Sequence, residues 1–339
     1  MAFPMTLKEL ARLLNLAPST VSKALKGHPD ISKSTQERVK AFAKKWHYRP
    51  NALAMGLRNH KFGLIAVIIP EITDYYYARV LHAIISCAYE ANYKIVVFES
   101  QEKYNKEVEI CHIIQKSGID GLLVVPARTT IDTVHFEELK AMGLPLVFLE
   151  RISGHLDVDR VAEDDYYGAC IVMNYMIESG CKQIAHLAAS PQWVWAQKRQ
   201  MGYIQALLDH HLPVNRNLIV EYHHLDQIDE IVRSWIKHYS IDGIFAVDDQ
   251  SAVRVMSVIQ HLGFQIPQDI AVCGYGNEPI AEVVCPPLTT VERKGEIVGQ
   301  YAVHLLIERI EGKKSGETET KLWKNDLIVR DSTRSFVSW

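Results

Sequence analysis

Short polar stretches follow the apolar runs of this chain, and they hold the side chains best suited to bind something. They are Pro70-Glu71 with Asp74-Tyr75-Tyr76-Tyr77, then Ala127-Arg128, Glu150-Arg151, Ala189-Ser190, Asp248-Asp249-Gln250 and Tyr275-Gly276-Asn277-Glu278. Carboxylates, guanidiniums and aromatic rings together suit a polar small molecule, because the charged groups take its hydrogen bonds and the rings cover its apolar faces. A second group of another kind stands near the start: Pro18, Ser19, Thr20, Ser22 and Lys23 offer hydroxyls and an ammonium with no acid among them. Catalytic sets are missing. There is no Walker loop, no G-x-S-x-G elbow and no H-E-x-x-H pair, and Gly274-Tyr275-Gly276 lacks the third glycine of a dinucleotide fingerprint. His210-His211 and His223-His224 are adjacent pairs, and adjacent residues on a helix do not share a face, so no metal site is expected. The six cysteines stand singly, which suggests buried thiols in a reducing compartment, not a disulfide frame. A non-enzyme without a cofactor is expected.

The elements that must carry these residues follow from periodicity. Leu7, Leu10, Ala11 and Leu14 fall at i, i+3, i+4 and i+7, one face of a helix. Asn15-Leu16-Ala17 interrupts it, and Pro18 suits the first turn of a second helix, where its missing N–H costs nothing. Val21, Ala24 and Leu25 make that helix's buried side. Two such helices read as a helix-turn-helix, with an ordinary αα-hairpin as the alternative. A third helix is predicted from near Ser32 or Ser34, where Ser34-x-x-Glu37 has the spacing of a capping box, with Val39, Phe42, Ala43 and Trp46 as its apolar stripe.

From Phe62 the pattern changes. Apolar strands such as Leu64–Ile69, Gly121–Val125 and Gly243–Val247 alternate with helices of ten to fifteen residues, in two similar series. That predicts parallel sheets covered on both faces, in two lobes. In such sheets ligands bind beyond the carboxyl ends of the strands, where the polar stretches above lie.

The net charge of −3 hides an asymmetry, since residues 1–61 carry +9 and the remainder −12. A basic module joined to an acidic body is the layout of a nucleic-acid binder with a separate sensing domain. No apolar run approaches ~18 residues, so no membrane span is expected, and Met1-Ala2-Phe3-Pro4-Met5 is not a signal peptide. A cytoplasmic location follows as an expectation.

Thr6-Leu7-Lys8-Glu9-Leu10-Ala11, Pro18 to Leu25, Ile31-Ser32, Arg38-Val39 and Tyr48-Arg49-Pro50-Asn51-Ala52-Leu53-Ala54 resemble the lac-repressor (LacI/GalR) family of bacterial transcription regulators. Gly118-Ile119-Asp120-Gly121, Arg199-Gln200-Met201-Gly202-Tyr203 and Asp248-Asp249-Gln250-Ser251-Ala252 extend the resemblance through the body. It implies a small all-α helix-turn-helix headpiece (1–50) and a hinge helix with linker (51–61). It also implies an α/β core of two doubly wound parallel-sheet lobes, like the type I periplasmic binding proteins. One lobe would comprise 62–162 with 292–322, the other 163–291 with 323–339, with crossings near 162, 291 and 323.

Carried over by position, the resemblance makes Pro18–Leu25 the recognition helix, with Pro18, Ser19 and Lys23 facing base edges and Thr20 and Ser22 facing phosphates. Thr6, with Leu7 beside it, Ser32, Thr35, Tyr48 and Asn51 become further backbone contacts, and Lys23 could donate to a guanine's O6 and N7. Ala54 and Leu57 of the hinge would enter the minor groove, Leu57 as a wedge. In the cleft it points to Pro70, Tyr76, Tyr77, Glu150, Trp193, Arg199, Asp248 and Gly276. Many relatives carry an acid where Gly276 stands, so Asn277 is expected to take over that hydrogen bond. Ala17 stands where a capping Ser or Thr is common, and Tyr75 replaces a more usual proline. The implied partners are double-stranded operator DNA, a sugar-like effector and a second copy of the chain, since no leucine heptad trails the core. The implied function is a transcriptional regulator, expected to repress, whose operator affinity follows the effector. A purine- or nucleoside-responsive regulator, or a ligand-binding protein of the same fold without operator binding, is the alternative.

Overall fold

The computed structural model describes residues 5–48, 61–151 and 156–334. The chain forms two compact units, the first ending at Phe62 and the second beginning at Gly63.

The first unit holds α1 (Leu7–Leu14), α2 (Pro18–Leu25) and α3 (Lys33–Lys45). Thr6 caps α1 reciprocally: its hydroxyl accepts from the Glu9 N–H, and its own N–H donates to the Glu9 carboxylate at 2.8 Å. Asn15 ends the helix in the left-handed region (φ 57°), a conformation that asparagine tolerates, and the turn into α2 is made there. Pro18 opens α2 and Ala17 gives it no side-chain cap. Leu10, Ala11, Leu14, Val21, Ala24, Val39 and Ala43 form the shared core. Two expectations need correction. The cap of α3 is Ser32, whose hydroxyl accepts from the Thr35 N–H, while Ser34 lies inside the helix and no Ser34–Glu37 box forms. Trp46 is not part of the buried stripe. It is the C-cap residue, 49% exposed, leaning on Phe42.

The second unit runs β1 (Leu64–Ile69), α4 (Tyr75–Glu90), β2 (Lys94–Glu99), α5 (Tyr104–Gln115), β3 (Gly121–Val124), α6 (Val134–Ala141), β4 (Leu146–Leu149) and β5 (Asp159–Glu163). It continues with α7 (Asp165–Glu178), β6 (Ile184–Ala188), α8 (Val194–Asp209), β7 (Ile219–Glu221), α9 (Gln227–His238), β8 (Gly243–Ala246), α10 (Asp249–His261) and β9 (Ala271–Gly276). It closes with α11 (Ile280–Val283), β10 (Thr289–Glu292), α12 (Gly295–Ile310), β11 (Thr320–Trp323) and β12 (Asp326–Ile328).

Two sheets result, ordered β11-β5-β4-β3-β1-β2 and β12-β10-β9-β8-β6-β7. The first is parallel throughout. In the second, the edge strand β12 is antiparallel to β10, a departure from the expected parallel pattern. Successive strand residues face opposite ways, so each sheet builds two cores. Ile65, Val67 and Ile69 of β1 pack with Val80 and Ile84 of α4 and Val298 and Leu306 of α12. Ala66 and Ile68 pack with Ile110, Ile114, Phe136 and Leu139 of α5 and α6. Burial on both faces is why β1 reads as an unbroken apolar run and not as an alternation.

The chain passes between the sheets at Asp164, at Arg293–Lys294 and at Lys324–Asn325. One buried carboxylate holds these passages together. Glu163 accepts from Arg293 Nε at 2.8 Å, from the Lys294 N–H and from Asn325 Nδ2 at 3.3 Å, while the Asp164 N–H donates to the Trp323 carbonyl at 2.9 Å. No described helix is long and apolar enough to cross a membrane.

Candidate nucleic-acid interface and ligand cleft

In the first unit, α2 buries Val21 and Ala24 and leaves Pro18, Ser19 and Lys23 exposed on one side, with Thr20 and Ser22 half-buried at its margin. Lys23 extends to Asp30 in the following turn, Nζ to Oδ2 at 3.0 Å. Several expected backbone contacts already have partners. The Thr6 hydroxyl and N–H both engage Glu9. The Ser32 and Thr35 hydroxyls lie 2.8 Å from each other. Leu7 and Tyr48 are half-buried against the core. Asn51, Ala54 and Leu57 lie outside the described residues.

In the second unit, a cavity of about 410 Å³ opens between the carboxyl ends of the two sheets. That volume suits a small molecule of a few rings. One wall comes from the loop after β1, the start of α4, Arg128 after β3, and Glu150 and Arg151 after β4. The other comes from Trp195 and Arg199 on α8, Asp248 before α10, and Tyr275, Gly276 and Glu278 at and after β9, with Arg293 between the sheets. Aspartates end strand-to-helix turns on both sides. Asp74 accepts from the Tyr77 N–H at 3.0 Å, and Asp248 accepts from the Ser251 N–H at 2.7 Å, so each carboxylate is fixed at a helix start beside the cavity.

Every guanidinium of the cleft is already matched. Arg151 grips Glu102 through both terminal nitrogens, at 2.6 and 2.7 Å, and donates to the Tyr77 hydroxyl at 3.1 Å. Arg128 reaches the same Glu102 at 3.1 Å and lies 4.1 Å from the ring centre of Trp193, an approach from one lobe to the other. Arg199 pairs with Asp165 and donates to the Val247 carbonyl at 2.7 Å, between the rings of Tyr275 and Trp195. Arg293 joins Glu150 to Glu163 and stacks on Tyr76, whose hydroxyl donates to Glu150. Burial raises the Glu150 carboxyl above the usual carboxylate range, with Arg293 opposing.

Glu278 and its neighbour Asp249 behave differently. Burial and then the nearby Asp249 push the Glu278 carboxyl up to about 7. Burial also pushes Asp249 up to about 6, against hydrogen bonds from Thr290 and from the Glu278 N–H. Asp249 lies under the wall so tightly that a Cβ on Gly274 would stand 2.3 Å from its Oδ1, and Gly276 adopts φ +145°, so both positions require glycine.

Of the cleft residues that the resemblance pointed to, Tyr76, Tyr77, Glu150, Arg199, Asp248 and Gly276 line the cavity. Three do not. Pro70 is buried at the end of β1, and its carbonyl accepts from the Gln101 N–H. Trp193 stacks on Trp195 and Arg128 and does not line the cavity. Asn277 turns its amide to Arg330 at 2.8 Å and its N–H to Thr290, which corrects the expectation that it replaces an acid in the cleft. Arg293 was not foreseen. It stands one residue after β10, whose short Thr-Thr-Val-Glu run gives little apolar signal; the expected crossing near 291 was the available clue.

Comparison with known proteins fits this geometry at both ends. Residues 6–51 match the family described as bacterial regulatory proteins, lacI family, and residues 173–333 match a periplasmic binding protein-like domain. The ribose operon repressor of Halalkalibacterium halodurans is 27% identical over 331 residues, spanning 97% of each chain. The chain thus carries a lacI-family DNA-binding domain followed by a periplasmic binding protein-like domain. The HTH-type transcriptional repressor PurR of Vibrio vulnificus is also 27% identical, over 97% of this chain and 98% of its own. Among solved structures, the lac repressor dimer bound to operator and the anti-inducer ONPF superposes with a TM-score of 0.85 at 22% identity. It covers 98% of this chain and 100% of that one, and shows the shared fold. These relatives are repressors by name.

Proposed function

We propose that this protein is a sequence-specific transcriptional repressor whose operator affinity is controlled by a neutral, hydroxyl-rich ligand, a sugar or sugar derivative. One observation carries the ligand class: each of the four guanidiniums in the cleft is matched with a carboxylate. A phosphate or carboxylate ligand is gripped best by a free guanidinium fork, and here the forks of Arg151, Arg199 and Arg293 are engaged, while Arg128 shares Glu102 through its Nε and stacks on Trp193. What remains toward the cavity is Asp74, Asp248 and Glu71 as acceptors for hydroxyls, beside the rings of Trp195 and Tyr275. Similarity to the ribose operon repressor supports the same class. The DNA-binding half rests on the exposed Pro18, Ser19 and Lys23 of α2 and on the +9 charge of residues 1–61.

The working unit is a homodimer presenting two headpieces to a two-fold site, as in the dimeric lac repressor structure. Ligand binding favours one arrangement of the lobes, and the coupling to DNA affinity is reciprocal. Two measurements test this. Gel-shift titration with DNA flanking its own gene should show specific binding that weakens steeply as salt rises, because each neutralised phosphate releases counterion. Indifference to every fragment would defeat the repressor reading. Thermal-shift screening should find stabilisation by a neutral sugar, about 2.7 kcal/mol at a hundredfold excess over Kd. Stabilisation by sugar phosphates or nucleosides alone would replace the sugar.

A further inference from the structure

Asp30 is an acid where a DNA-binding surface least needs one. The first sixty-one residues hold three acids. Of these, Glu9 is engaged in capping α1. Asp30 instead stands in the open, 60% exposed, with its Oδ2 3.0 Å from the Nζ of Lys23, itself 49% exposed. A solvated pair of this kind contributes little to stability. Neither side chain is needed to hold the fold, since the turn closes through backbone groups, the His28 N–H donating to the Lys23 carbonyl and the Ile31 N–H to the His28 carbonyl. The Asp30 N–H points to His28 Nδ1 at 3.3 Å, which casts that nitrogen as an acceptor. Among the described residues the carboxylate takes one side-chain hydrogen bond, from Lys23, and the His28 Nδ1 lies 3.3 Å from the same Oδ2.

We propose that Lys23 and Asp30 together read a single G·C base pair, Lys23 donating to the guanine and Asp30 accepting from the cytosine amino group. This rests on the operator-binding reading above. On the major-groove edge of a G·C pair, the guanine N7 and O6 acceptors stand next to the cytosine N4 donor. A lysine ammonium beside a carboxylate offers the complementary order, donor then acceptor, one hydrogen bond apart. Lys23 spends one of its three donors on Asp30 and keeps two for N7 and O6. Whatever base edge the ammonium reaches lies next to the carboxylate as well.

The pairing also supplies what a lone lysine lacks. An ammonium on a flexible stem is a point charge that accepts any acceptor-rich edge, thymine O4 included. With Asp30 alongside, a pair with adenine in the guanine's place sets its amino group against the ammonium and the thymine O4 against the carboxylate. Both are repulsive, so the acid excludes A·T in that orientation and, by the same order, C·G. T·A keeps the acceptor–donor order at O4 and N6 and is set apart only by its methyl where the guanine N7 would stand. A specificity function of this kind explains an acid in a basic surface, where it lowers general affinity for phosphate.

The test uses the full chain. Preferred duplexes are selected from a random library with the wild type, Lys23→Ala, Asp30→Ala and the double variant, and affinities are then measured on the recovered site and on its single-pair substitutions. Circular dichroism melts of the variants check that the headpiece stays folded. The expected result is that Lys23→Ala and Asp30→Ala relax the same base pair. Asp30→Ala should cut the preference for G·C over C·G, and over A·T with adenine in the guanine's place, by roughly tenfold, with the double variant no worse than Lys23→Ala. If Asp30→Ala leaves every base preference intact and shifts affinity equally on all sequences, the pair is a surface ion pair and the proposal falls. Relaxation at a pair that Lys23→Ala does not touch overturns it too. If the wild type selects no sequence at all, the operator-binding reading itself falls, an outcome separate from the other two.

Discussion

Glu278 shows how one side chain can write the cleft's chemistry into the stability of the protein. Its carboxyl rises to about 7 in the fold from an ordinary 4.5, so between those values the folded state holds a proton that the unfolded chain has released. Folding stability is then fully present below the unfolded value and declines as pH rises toward 7. Asp249, raised to about 6 from 3.8, adds a slope of the same sign at slightly lower pH. Glu278→Gln should flatten the upper part of that decline and raise the melting temperature at pH 8 relative to wild type. Melting curves from pH 4 to 8 check it, and an unchanged slope would mean that Glu278 titrates normally. Residues of this kind were half-legible in the sequence. The stretch Tyr275-Gly276-Asn277-Glu278 reads as a polar segment after a strand, but alternation cannot tell which member turns inward. The conformations of Gly276 and Asn277 decide that: Glu278 faces the cavity and Asn277 faces Arg330.

At the scale of elements, helices declared themselves more clearly than strands. α4, α8, α10 and α12 are legible as the periodic segments between the apolar runs, because each turns an apolar face to a sheet. The strands β5, β10, β11 and β12 had no such signal. β5 reads Asp-Arg-Val-Ala-Glu, and its charged ends are structural: Asp159 takes both arms of Arg309 at 2.8 Å, and Glu163 holds the passages between sheets. Buried charge in a strand looks like a loop until its partners, far along the chain, are known. The α3 cap failed for a local reason, since two serines compete two residues apart and the backbone turn at Ile31 favours the first. Ser32→Ala should therefore cost the headpiece about 1 kcal/mol, while Ser34→Ala leaves it within a few tenths. Thermal unfolding of the two variants decides between them.

For the whole molecule, the question is whether the second unit melts as one body. Its two sheets have separate cores, yet the passages between them converge on Glu163, which is 2% exposed. Removing one partner of a buried charge pair typically costs about 3–5 kcal/mol. Glu163→Ala should do more than lower stability. It should split a single calorimetric transition of the core into two, one per lobe, as the shared anchor is lost. A single sharp peak at lower temperature would show that packing between the lobes, and not this carboxylate, makes them cooperative.

That convergence also sets the kind of motion available. Three chain segments gathered at one small polar knot behave as a pivot, so sliding one lobe past the other would tear its hydrogen bonds while turning about it preserves them. The cleft can then adjust to molecules of different girth by angle alone. A change of aperture at the Arg128–Trp193 rim becomes a rotation of one whole lobe, which a rigid sheet carries undiminished to its opposite end.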